Sequence, residues 1–238
     1  MRAIIVSVDY ADILAVTLPY NRHHFDAVTV VTTAADTQTI AIAEAADCHI
    51  VTTELFYAGG AAFNKYAALE YALDQAGRQG WLCLLDADIL FPKVLPQSAW
   101  VCGNIYSPKR RMQPNIAAPI LPEWEWAGFA YGEPKNNHLF AGYTQIFHAE
   151  DPVLSGRPWH KTHYDNASDG DTDFSRKWAK HKKIRPAFDV LHLGLDTTNW
   201  CGRAAPYKDG TVHQDAVERV RGVQEFLQQR SQKKRKSK

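Results

Sequence analysis

The chain has no apolar run approaching the roughly 18 residues that a membrane-spanning helix needs. Its opening, MRAIIVSVDYADI, carries too short an apolar stretch for a secretion signal. A cytoplasmic protein without a membrane span is therefore expected. Cysteine is scarce: Cys48, Cys83, Cys102 and Cys201 lie far apart with no C-x-x-C pair, which reads as reduced thiols and not as a disulfide framework. Charge of either sign is not in excess. The net charge of +1 excludes a surface that is an electrostatic trap for nucleic acid or anionic lipid as a whole. No internal repeat occurs, and VSVDYADI lacks the Gly-rich, basic phosphate loop usual after the first strand of a nucleotidyltransferase.

What is present suits a globular protein. With 238 residues, 45% hydrophobic and 22% charged, the chain can bury one large α/β core. RAIIVSVDY and DAVTVVTT are short runs rich in β-branched residues, the pattern of strands covered on both faces. ADILAVTLPYNRHHF between them predicts a helix limited by Pro19, and ADTQTIAIAEAADC predicts another before the strand HIVTT. AAFNKYAALEYALDQAG predicts a third helix, with Phe63, Tyr66, Ala67, Tyr71 and Leu73 on its apolar face and Gly77 as C-terminal cap. WLCLL is the next strand. Alternation of this kind implies right-handed crossovers and a mostly parallel sheet flanked by helices, with ligands at the carboxyl ends of the strands.

From Ser98 the texture changes to loops dense in Pro, Gly, Trp and Tyr, with AGYTQIFHA the clearest strand. DGDTDFSRKWAKH predicts a helix after an acidic start, IRPAFDVLHLG a strand, and HQDAVERVRGVQEFLQQR a final amphipathic helix. The expected organisation is one domain over 1–230, with 1–97 and 98–230 as its halves, followed by a disordered basic tail over 231–238. That tail, with Lys233, Lys234, Arg235, Lys236 and Lys238, is the segment able to reach a polyanion such as DNA.

In WLCLLDADILFP, Asp86 and Asp88 stand at a strand's end, where carboxylates face a cleft instead of a core that would penalise them by several kcal/mol. If strand geometry persists, an i, i+2 pair points to one side. Such a pair suits Mg²⁺ or Mn²⁺, which favour carboxylates together with phosphate oxygens and water. Solvated acids in a strand-terminal turn are the plain alternative. Lys65, near a helix N-terminus, is suited to neutralise phosphate. His160 and His163 have H-x-x-H spacing in an expected loop without a glutamate beside them, so they are not read as a zinc site. Trp124, Trp126, Phe129 and Tyr131 read as core packing or as an acceptor platform.

FNKYAALEYAL followed by WLCLLDADILFP, then DGDTDFSRKW and DVLHLG in that order, resembles the inverting GT-A glycosyltransferases, a D-x-D-containing group dependent on nucleotide sugars. The resemblance implies a single GT-A-like domain, with a Rossmann-like, mostly parallel mixed sheet. It implies transfer of a sugar from a nucleoside diphosphate, expected to be UDP, to a hydroxyl, with Mn²⁺ or Mg²⁺ as cofactor. Carried over, Asp88 binds the metal, Asp86 contacts the ribose or shares the metal, and His192 is the C-terminal metal ligand. Asp171 falls at the catalytic base. Because Gly170 stands where the pattern has glutamate, Asp169 and Asp173 remain candidates for that role. Asp9, Tyr10, Thr32, Thr33 and Asp36 fall where base and ribose are held, and Arg203 in NWCGR is within reach of phosphate or acceptor. A nucleotidyltransferase, or a module of this fold that binds glycan or nucleic acid without turnover, are the competing readings. A hydroxylated base in DNA is one candidate acceptor.

Overall fold

The computed structural model describes residues 1–95, 100–132, 140, 142–168, 170–194 and 202–203. Four strands, β1 (Arg2–Val6), β2 (Ala27–Thr32), β3 (His49–Thr52) and β4 (Trp81–Asp86), alternate with three helices, α1 (Ala11–Asn21), α2 (Thr37–Ala45) and α3 (Lys65–Ala76). These are the elements that the β-branched runs and the helical periodicity predict. After β4 come the short strands β5 (Ile89–Leu90) and β6 (Ile105–Tyr106), then β7 (Lys109–Gln113) and β8 (Thr144–His148). Helix α4 (Gly170–Ser175), β9 (Lys183–Ile184) and β10 (Asp189–Leu193) follow. The final amphipathic helix, the basic tail and Cys201 lie outside the described residues. Cys48, Cys83 and Cys102 are free thiols.

The larger sheet runs β3-β2-β1-β4-β8-β6-β9. Its β3, β2, β1 and β4 are parallel, and β8 joins β4 antiparallel with Leu85 opposite Thr144. The two halves of the chain thus share one sheet. Strand alternation sorts the core. Ile4, Leu82 and Leu84 pack with Tyr66, Leu69 and Leu73 of α3 on one face. Ala3, Ile5, Cys83 and Leu85 pack with Leu14 and Leu18 of α1 on the other. Each buried leucine or isoleucine contributes about 1.5–3 kcal/mol relative to exposure. A second sheet, β5-β10-β7, lies beyond the end of β4.

Two local expectations are corrected. Pro19 sits inside α1, which continues to Asn21. The carbonyl that loses its donor is that of exposed Ala15, so water can satisfy it. Tyr71 is 40% exposed, while Glu70 is buried in its stead. Positions 66, 69, 70 and 73 share the inner face of α3, and 71 falls opposite. Gly77 caps α3 at φ 85, its N–H reaching the Leu73 carbonyl at 3.0 Å. No helix among the described residues is long and apolar enough to cross a membrane.

Candidate active site

Strand β4 delivers Asp86 to the carboxyl edge of the sheet beside Val6, with its N–H on the Tyr143 carbonyl. The chain then turns through Ala87 and Asp88 into β5. Helix α1 fixes this turn from below: the Thr17 hydroxyl donates to the Ala87 carbonyl at 2.6 Å, and the Asn21 amide donates to Ile89 at 2.6 Å and accepts from the Phe91 N–H at 2.9 Å. Because β5 pairs antiparallel with β10, Ile89 opposite His192, the Leu193 N–H reaches the Asp88 carbonyl at 2.9 Å. That ladder brings together two side chains about a hundred residues apart. His192 Nε2 lies 3.5 Å from Asp88 Oδ2, and both residues are buried.

Asp88 Oδ1 and His192 Nδ1 are buried without a hydrogen-bond partner among the described residues. Burial raises the Asp88 carboxyl above its ordinary range; the nearby His192 lowers it, Asp86 raises it, and Arg110 and Lys65 lower it. A buried carboxylate facing a buried imidazole, each with one atom left without a partner, is a donor set that fits a divalent cation. Asp86 does not join it: its carboxylate takes the ammonium of Lys65, the first residue of α3. Among the described residues, no three His, Cys, Asp or Glu side chains converge as a metal cluster.

Lys65 is aimed by its neighbour Asn64, the N-cap, which accepts from the Ala67 N–H and donates to the Thr162 carbonyl at 2.7 Å. Its ammonium also reaches the Gly142 carbonyl at 3.4 Å. Gly142 in turn gives its N–H to Asp171 in the first turn of α4, and the Thr172 N–H donates to the same carboxylate at 2.6 Å. Burial holds the Asp171 carboxyl above its ordinary value, opposed by Lys65 and these backbone donors.

Space is limiting around this group. A Cβ on Gly142 would lie 2.7 Å from Asp171 Cβ, and one on Gly170 would lie 2.2 Å from the ring of Tyr66, which is 2% exposed. The glutamate that the resemblance leads one to expect at 170 has no room. Asp173, two residues on, turns the other way to Lys161 at 2.6 Å, Arg176 at 2.7 Å and the Tyr164 hydroxyl at 3.0 Å. The Lys161 hydrogen bond in particular lowers its carboxyl below the ordinary range, against the effect of burial. Asp169 lies outside the described residues.

The early residues form a knot at the ends of β1 and β2. One Asp36 oxygen accepts from the Asp9 N–H at 2.8 Å and the Thr32 hydroxyl at 3.2 Å, while the other caps α2 through Thr39 N at 3.1 Å. Asp9 is held at φ 61, a conformation uncommon outside glycine. Thr32 and Thr33 are buried. Tyr10 is half-buried. Arg203 lies 4.7 Å over its ring, and burial first, then Asp88, holds its phenol well above the ordinary value.

Arg203 is not directed at an open phosphate site. It is 1% exposed and grips the Asp12 carboxylate through both terminal nitrogens, donating also to the Asp9 carbonyl at 3.1 Å.

The aromatic middle divides. Trp126 is buried, whereas Trp124 is 79% and Tyr131 46% exposed. His160 has a glutamate after all: Glu70, buried on α3, takes the His160 ring at 2.7 Å, the Trp159 and His160 N–H groups, and Arg78 at 2.8 Å. His160 stacks between Tyr66 and Phe174, tying α3 to α4. This network was missed from the sequence. A lone acid on the apolar face of an amphipathic helix was its signal.

The fold has solved counterparts. The mannosyl-3-phosphoglycerate synthase of Rubrobacter xylanophilus aligns at TM-score 0.54 and 14% identity, over 98% of this chain and 74% of that one. This chain has the GT-A fold. A Pyrobaculum calidifontis mannosyltransferase in complex with GDP-Man and Mn²⁺ aligns at TM-score 0.48 and 17% identity, over 80% of this chain and 56% of its own length. Glucosyl-3-phosphoglycerate synthase of Mycobacterium tuberculosis, in complex with Mn²⁺, UDP and glucosyl-3-phosphoglycerate, aligns at 0.46 and 11% identity, over 81% and 70%. No family model and no curated protein sequence matches the chain. The Asp88–His192 pair lies just past the carboxyl end of β4, and Lys65 is near enough to Asp171 to lower its carboxyl.

Proposed function

We propose that this GT-A protein is a metal-dependent glycosyltransferase that moves a sugar from a nucleoside diphosphate, taken to be UDP, to a hydroxyl acceptor with inversion. The observation that carries the reading is the buried pair Asp88 and His192, 3.5 Å apart with an orphaned atom on each, at the sheet edge where open α/β folds bind ligands. Asp88 and His192 would hold Mn²⁺ or Mg²⁺, and such an ion supplies positive charge against the donor's diphosphate. Solved GT-A proteins bearing Mn²⁺ with GDP-Man or UDP support that assignment of cofactor and donor class.

The chain's own groups do the rest. Lys65 neutralises developing charge on the leaving diphosphate from the start of α3. Asp171 accepts the proton of the acceptor hydroxyl as its oxygen attacks the anomeric carbon from the face opposite the diphosphate. A raised carboxyl suits that task better than the depressed Asp173, which is held by two cations. Asp86, held by Lys65, orients that lysine and is free to meet the ribose when the lysine moves to phosphate. The Asp9–Thr32–Asp36 knot shapes the nucleoside end.

The experiment is donor hydrolysis without acceptor, followed by NMR of the released sugar. UDP-sugar consumption that needs Mn²⁺ and is lost in Asp88→Ala supports the reading. Metal-dependent UDP binding without consumption of any sugar donor would make the protein a binding module, and preference for GDP-sugars would correct the donor.

A further inference from the structure

The segment directly after α4 is the most basic stretch among the described residues. Lysine and arginine number 27 in 238 residues, about one per ten, yet the ten residues Arg176 to Arg185 contain six of them, with His181 and no acid. The fold presents this charge outward. Trp178, 2% exposed, pegs the turn to the core by donating from Nε1 to Asp151 at 2.8 Å. On either side of the peg, Arg176, Lys177, Lys180, His181 and Lys182 are exposed, ending at β9 on the edge of the larger sheet. Lys161, with a side chain 71% exposed, joins the same face through Asp173, which also takes Arg176. No acidic partner of Lys177, Lys180 or Lys182 occurs among the described residues.

We propose that this basic turn docks the sugar-phosphate backbone of a nucleic acid and so brings a hydroxyl of that polymer to Asp171. The second half of that statement rests on the transferase reading; the first does not. Arg176 lies just past the end of α4, whose first turn carries Asp171. Lys180 to Lys182 form a 3-10 turn, and Lys177 precedes it by three residues. Burial and then the nearness of Arg176 lower the Lys183 ammonium. An anionic membrane fits less well, because none of the exposed large apolar side chains falls in this stretch to enter a bilayer.

The test uses the full chain and fluorescein-labelled 20-nucleotide duplex and single strands, read by anisotropy over a series of salt concentrations. Three variants are compared with the wild type: the triple Lys177→Gln/Lys180→Gln/Lys182→Gln, a tail set Lys233→Gln/Lys234→Gln/Lys236→Gln/Lys238→Gln, and both together. Each lost phosphate contact removes about 0.9 from the slope of log K against log salt on duplex DNA. The triple should therefore flatten the slope by about 2.7 and weaken binding about 500-fold at 0.1 M salt. Affinity within twofold of wild type in the triple, loss in the tail set alone, or retention by phosphatidylserine vesicles without retention of nucleic acid would each overturn the proposal. Calorimetric UDP binding with Mn²⁺ is measured in parallel and should be unchanged in the triple. A wild type that binds nucleic acid but neither UDP nor GDP in the presence of Mn²⁺ refutes the transferase reading while supporting the docking surface.

Discussion

Gly170→Ala is the sharpest probe of how Asp171 is held. A Cβ at that position falls 2.2 Å from Tyr66 Cε2, with Cδ2 at 2.3 Å and Cζ at 2.6 Å. Carbon atoms pack best at about 3.5 Å, so the shortfall is about 1.3 Å. Tyr66 cannot swing aside. It is 2% exposed, stacked on His160, and its hydroxyl donates to the Ala167 carbonyl at 3.2 Å. The start of α4 must move instead, drawing Asp171 away from the Gly142 N–H. Overpacking of this kind destabilises by about 1–3 kcal/mol, which lowers the melting temperature of a chain this long by about 2–4 °C per kcal/mol. A displacement near 1 Å at the base lowers turnover about 10²-fold. Metal and nucleotide affinity should not change, since Asp88, His192 and Lys65 lie on other elements. The assay is steady-state transfer with calorimetric UDP titration and a thermal melt. Turnover within threefold of wild type, with a melting temperature unchanged, would refute the claim that this glycine sets the position of Asp171.

Three other outcomes follow from named contacts. Asp171→Asn should bind donor normally and lose transfer by about 10²–10⁴-fold. Because burial raises that carboxyl in the folded state, its charge opposes folding above the folded value and protonation favours folding below it. The acidic limb of wild-type kcat/KM should therefore lie above the ordinary aspartate value, and an unshifted limb would contradict this. Arg203→Met strands Asp12, whose side chain is 22% exposed, and removes the cation over Tyr10. A loss of about 2–4 kcal/mol in urea titration and a raised donor KM are expected, with Asp12→Asn/Arg203→Met less damaged than the sum of the single changes. Burial would raise the Glu70 carboxyl, but His160 and Arg78 bring it down to about 2. Its stabilisation is complete above the unfolded value near 4.5 and is lost as pH falls toward 2. Glu70→Gln should flatten that part of the stability-against-pH curve, and an unaltered curve would remove Glu70 as its source.

The first half of the fold was legible because parallel strands buried on both faces read as unbroken apolar runs, from Ala3 to Val6 and from Leu82 to Leu85. The end of β4 was legible in the same way, since the apolar run stops at Asp86. What joins Asp88 to His192 was not in any local spacing: the antiparallel pairing of β5 and β10 does it, through the Leu193 N–H. The diversion of Asp86 to Lys65 depends on where α3 begins and at what angle. Asp171 and Asp173 could not be told apart along the chain. Two steps on a helix turn them about 200° from each other, and the Lys161 and Tyr164 that occupy Asp173 come from a loop without periodicity. Arg203 read as a phosphate ligand because Asp12, its partner, lies at the far end of the sequence. The charge of the turn after α4 is legible in the sequence, whereas its outward presentation depends on the burial of Trp178.

Diffraction at the manganese absorption edge from crystals grown with Mn²⁺ and UDP tests the central claim most directly. The account predicts one anomalous peak in coordination range of both the Asp88 carboxylate and the His192 imidazole, adjoining the diphosphate, and its loss in His192→Ala. A peak bound by other residues, or UDP seated in the crevice with Asp88 and His192 still facing each other and no ion between them and the phosphates, would contradict it.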